Sequence, residues 1–143
     1  MASYKEALKE LADITENILV PVLGASSIYW PGKNAPGMAS QTAFNKSFAT
    51  VQNETSSESS AVIGRGLFRV EGTYTVVIHG TDKNESLVVY RELALQLKNA
   101  LLDKHCDDEV IITNDRLVDT NAVDGRLMMP VIADYYYYRQ RGE

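Results

Sequence analysis

The sequence predicts a single α+β domain, residues 1–143, in which a mainly antiparallel sheet is flanked by two helices. Three observations support this class: two stretches with apolar residues at three- and four-residue steps, one long stretch with two-residue alternation, and a closing third rich in strand formers. Strands grouped around two helices typically pack as helices on an antiparallel sheet. The length of 143 residues suits one domain.

Composition excludes several classes of protein. Apolar residues make up 45% and charged residues 23% of the chain, which is ordinary for a globular domain and excludes general disorder. The net charge of −5 is opposite in sign to that of a strongly basic nucleic-acid binder. The single cysteine, Cys106, cannot form an intrachain disulfide, which fits a reducing compartment. No signal peptide or membrane-spanning stretch is recognisable, so we expect no membrane partner.

The first helix begins with a capping box of Ser3 and Glu6 and is expected to end near Pro21. Its apolar stripe comprises Tyr4, Leu8, Leu11, Ile14 and Ile18. A short aromatic strand at 27–30 and a Pro- and Gly-rich loop at 31–37 follow. This order predicts a helix that packs one face on the sheet.

A polar stretch separates the first strands. Residues 43–52 are weakly strand-like, with Phe44, Phe48 and Val51 as their large apolar side chains. Residues from about 53 to 64 include the run Asn-Glu-Thr-Ser-Ser-Glu-Ser-Ser, which cannot bury enough apolar surface to offset the entropy of ordering it. We therefore predict a mobile polar loop at about 53–64, or the tip of a long hairpin.

The clearest strand runs from residue 67 to residue 79. Its mainly apolar face comprises Phe68, Val70, Gly72, Tyr74, Val76 and Ile78. The alternate positions are mostly polar and include His79, which we expect to be solvated or hydrogen-bonded rather than catalytic. This alternation predicts a strand with one buried face.

A second helix is predicted from near Asp82 to the region of Lys104 and His105. The remaining segments alternate strand and turn signals, namely a strand at 110–113, a turn at 114–115, a strand at 117–120, an Asp-Gly turn at 124–125 and a last strand at 127–138. Pro130 lacks a backbone donor, so we expect it at an edge or an interruption of the ladder.

Four consecutive tyrosines occupy 135–138. On a strand, alternate rings face opposite sides, so one pair joins the core and the other lies on the far face. Tyrosines there either pack across strands on a solvated sheet or are covered by a partner, and Trp30 beside Pro31 allows the same two interpretations. The residues predicted to form a partner interface are Trp30, Pro31, Arg65, Tyr136 and Tyr138.

Motifs for catalysis or cofactor binding are missing from the sequence. The Gly-Arg-Gly at 64–66 lacks the features of a phosphate loop, and neither cysteine nor histidine has metal-ligand spacing. We therefore expect no catalytic residue, no metal and no cofactor. One alternative is a metal-dependent nuclease in which Asp115, Asp119 and Asp124 converge, although aspartates at turn signals commonly bond to the backbone.

Several segments occur in a particular order. The run Tyr-Trp-Pro-Gly-Lys-Asn-Ala-Pro at 29–36 follows the N-terminal helix, and Gly-Leu-Phe-Arg-Val at 66–70 opens the long strand. Val-Asp-Gly-Arg at 123–126 and Met-Pro-Val-Ile-Ala-Asp-Tyr at 129–135 close the chain. In this order and texture the sequence resembles the bacteriophage tail terminator (tail-completion) family, which includes lambda-like minor tail proteins, and the resemblance covers most of the chain.

The resemblance implies a structural virion assembly protein and no enzyme. Such proteins form a ring, expected to be a hexamer, that caps the tail tube, ends its polymerisation and offers a docking face to the head. The implied partners are other copies of the chain, the tail tube protein and a head-completion or neck protein, with DNA passing through the ring without specific binding. The implied location is the head-proximal end of the virion tail, after assembly in the host cytoplasm. A neck or head–tail connector protein is the alternative.

Overall fold

The computed structural model describes residues 4–32, 47–62, 67–81, 84–102, 110–117 and 126–140. Within these ranges the chain forms two helices, a 3-10 turn and five strands. In chain order they are α1 (Tyr4–Leu23), the 3-10 turn (Ala25–Ser27), β1 (Ile28–Tyr29), β2 (Phe48–Val62), β3 (Leu67–Thr81), α2 (Asn84–Leu102), β4 (Ile111–Leu117) and β5 (Arg126–Gln140). This is a single α+β domain with a mostly antiparallel sheet, as the sequence predicts.

The strands form one sheet in the order β1-β2-β3-β5-β4. β1 runs parallel to β2, and every other pair of neighbours is antiparallel. The central strand β3 is paired with β5 along its whole length, from Leu67 opposite Gln140 to Thr81 opposite Arg126. The three long strands β2, β3 and β5 therefore carry most of the side chains on both faces of the sheet.

Both helices cover the same face of the sheet. α1 contacts it at Tyr74, whose hydroxyl lies 2.8 Å from that of Thr15, and α2 contacts it at Asp115, which pairs with Lys98. We call this the helix-covered face and the opposite side the helix-free face. The strand residues buried in the core on the helix-covered face are Ile28, Ala49, Val51, Val70, Tyr74, Val76, Ile78, Met129, Val131, Ala133, Tyr135 and Tyr137.

A buried hydrogen bond joins α1 to the centre of the sheet. The Thr15 hydroxyl donates to the Leu11 carbonyl at 2.9 Å, so the Tyr74 hydroxyl is the donor to Thr15 Oγ1. Burial raises the pKa of Tyr74 above its ordinary value. The phenol therefore stays protonated and satisfied in the core.

Of the two alternatives predicted for about 53–64, the mobile loop is wrong for residues 53–62, whereas the long hairpin is present, because these residues lie in β2 and pair with β3. The ladder continues past Thr55 and Ser60, with irregular register after each of them. Backbone hydrogen bonds to a long neighbouring strand hold a segment of polar composition in place. Residues 63 and 64 lie outside the described residues.

The structure also places Pro21, Pro130 and the turn predicted at 114–115. The turn predicted at 114–115 is wrong, because β4 runs through it with a register shift between Ile112 and Asn114. Pro21 lies inside the last turn of α1, which ends at Leu23. The described part of β4 pairs with residues 131–136, and among the described residues Pro130 has its ladder partner in β3, opposite Val77.

Candidate functional site

The run of tyrosines divides between the two faces of β5 as predicted. Tyr135 and Tyr137 are buried in the core, whereas Tyr136 and Tyr138 are half-buried on the helix-free face. The Tyr135 ring lies over Gly72, where an added Cβ would approach the ring hydroxyl to 2.6 Å. The glycine thus makes room for an aromatic ring whose hydroxyl donates to Asn53 Oδ1 at 2.5 Å.

An aromatic patch, formed by Arg69, Glu71, Tyr136 and Tyr138, lies on the helix-free face of β3 and β5. The Arg69 guanidinium carbon stands 4.0 Å from the centroid of the Tyr136 ring, and Arg69 Nε donates to Glu71 Oε1 at 2.9 Å. The Tyr136 and Tyr138 rings meet edge to face, with centroids 5.8 Å apart. Each side chain of the patch is therefore held by a neighbour while part of its surface remains open to solvent.

A polar network borders this patch and is centred on Asp134. Its carboxylate accepts from Thr73 Oγ1 at 3.0 Å and from Arg116 Nη1 at 3.3 Å. Its backbone carbonyl accepts from Thr113 at 3.2 Å, where the register of β4 shifts. A polar depression of about 190 Å³ lies between this network and Tyr136. Arg69 and Arg116 are thus each matched by a carboxylate.

Trp30 and Pro31 lie elsewhere, beside α1. Together with Leu8, Val51 and Tyr74, they line an apolar groove of about 430 Å³ between α1 and the edge of the sheet on the helix-covered side. Trp30 is half-buried against the core, and Pro31 is exposed. The predicted interface residues therefore occupy two separate surfaces rather than one.

The remaining predicted interface residue, Arg65, lies outside the described residues. Sequence reasoning missed Arg139, whose guanidinium carbon lies 4.9 Å from the centroid of the Phe68 ring and which pairs with Glu58. It also missed Arg69. The signal that could have found Arg69 was its position on the polar side of the alternating strand, which places it on the face that the helices leave open.

His79 is a packed side chain on the helix-free face. It stacks on Phe48 with ring centroids 4.4 Å apart, and its Nε2 lies 3.3 Å from the Thr50 hydroxyl. Tyr29 meets Phe48 edge to face at 5.6 Å. Only 7% of His79 is exposed. The hydrogen-bonded interpretation of this histidine is confirmed.

The nuclease alternative receives no support from Asp115. Its side chain is 5% exposed, points toward α2 and lies 3.5 Å from Lys98 Nζ. Asp119 and Asp124 lie outside the described residues. Within the described ranges no three histidine, cysteine or acidic side chains come together as a group that could hold a metal ion. In the same part of the chain neither helix is long and apolar enough to cross a membrane.

Comparison with known proteins supports the fold alone. No protein-family model matches the chain, and no curated protein matches it. A solved structure of a protein without a functional name resembles it over 94% of this chain and 98% of the other, with a TM-score of 0.52 and 16% sequence identity. At that identity, the likeness shows that the same arrangement of helices and strands occurs in a second protein.

Proposed function

We propose that this chain is a structural protein of phage assembly. In this proposal, copies of the chain form a ring that caps the tail tube, ends its polymerisation and provides the face on which the head docks. The sequence resemblance to tail terminators supplies the specific role. The observation that carries the proposal is the aromatic patch on the helix-free face.

The composition of the patch fits a surface that another protein covers. Tyrosine and arginine are enriched at protein interfaces, and tyrosine buries a large area at low cost in side-chain entropy. Here Arg69 is fixed by Glu71 and by the Tyr136 ring before any partner arrives. Such preorganisation lowers the cost of association, because fewer rotamers are lost on binding.

The charge of the chain fits a ring through which DNA passes. Tight binding of DNA needs clustered lysines and arginines that neutralise phosphates. The net charge here is −5, and on the helix-free face Arg69 and Arg116 each face a carboxylate. We expect the ring to contact DNA without holding it.

The test is a capping assay with purified tail tubes. The protein is expected to bind one end of each tube and to stop elongation when free tail tube protein is added, as seen by electron microscopy. Tubes that elongate equally with and without the protein would contradict the proposal. A pull-down in which the chain binds portal protein in preference to tail tube protein would favour the connector alternative.

The Tyr136→Ala variant tests whether the aromatic patch is the surface that binds the tube. It removes the centre of the aromatic patch and is expected to weaken capping at least tenfold in the concentration required. Glu92→Ala, an exposed position on α2, is the matched control and should cap like the unaltered chain. Equal capping by both variants would show that the aromatic patch is not the binding surface.

A further inference from the structure

We draw no further inference here: the strongest candidate, the apolar groove of about 430 Å³ that Trp30, Pro31 and Val51 help to line between α1 and the edge of the sheet, carries none, because nothing in the described part of the chain shows what covers it.

Discussion

Tyr136 and Tyr137 are neighbours in sequence with opposite environments, and this makes them a matched pair for mutation. Tyr137 is 1% exposed and packs in the core beside Tyr135, with ring centroids 6.2 Å apart. Truncation of a buried aromatic residue costs roughly 3–5 kcal/mol, because the lost contacts leave a cavity. We therefore expect Tyr137→Ala to lower the free energy of unfolding by about 4 kcal/mol.

Tyr136→Ala removes less from the folded monomer. Its ring contacts Arg69 and Tyr138 on a face that is open to solvent. A cation–π contact at an exposed site contributes about 0.5–1 kcal/mol, and an aromatic pair about 0.5–1.5 kcal/mol. The expected loss is about 1–2.5 kcal/mol in total, which leaves a domain of ordinary stability folded.

Urea unfolding measures both losses, and sedimentation velocity measures assembly of the same samples. Tyr136→Ala is expected to weaken assembly while the monomer remains folded, and Tyr137→Ala to destabilise the monomer itself. The midpoint should shift without a large change in the slope of the transition. If Tyr136→Ala costs as much stability as Tyr137→Ala, the aromatic patch is part of the monomer core and the assignment of a partner surface fails.

Four further perturbations test the fold. Thr15→Val should lower the free energy of unfolding by about 1–3 kcal/mol, because it leaves the buried Tyr74 hydroxyl without an acceptor. Adding Tyr74→Phe to the same chain should restore part of the lost stability. If the two losses measured by urea unfolding simply add in the double variant, the coupling between these side chains is contradicted. Burial raises the pKa of Tyr74, so its stabilising contribution is complete below the unfolded pKa of roughly 10 and is lost as the pH rises further. Thermal melts of Tyr74→Phe should therefore show a smaller alkaline loss, and an identical profile would count against the burial. Gly72→Ala should cost about 1–3 kcal/mol because its Cβ meets Tyr135 and a backbone carbonyl of β2, and an unchanged Tm would be the contrary result. Deletion of residues 55–60 should lower stability by several kcal/mol through loss of the ladder to β3, whereas unaltered urea unfolding would argue that they are not a strand.

Periodicity predicted the parts of the fold that apolar burial determines. The alternation around Tyr74 marks β3, since every second side chain enters the core. β2 was missed from Asn53 onward because its ordering depends on backbone hydrogen bonds to β3. The hydropathy pattern of the sequence does not reveal such bonds. The Asn-Asp pair at 114–115 suggested a turn, but Lys98 on α2 holds Asp115 inside a strand. Contacts between elements distant in sequence decided both cases.

The candidate site was predictable only in part, because some of its contacts also join elements that are distant in sequence. Strand geometry alone separates Tyr136 from Tyr137, and the structure confirms that separation. Strand order was needed to place Arg69 against Tyr136, because these residues are 67 positions apart and meet only when β3 and β5 are neighbours. The sequence also grouped Trp30 with the tyrosines, whereas it lines a groove on the other side of the sheet.

Electron microscopy of the purified protein, with tail tubes present and absent, tests most directly whether the chain works by binding copies of itself. We expect closed rings with a central hole, free in solution or seated on one end of each tube. Particles without a hole under both conditions, together with tube ends that carry no added density, would contradict a ring-forming role.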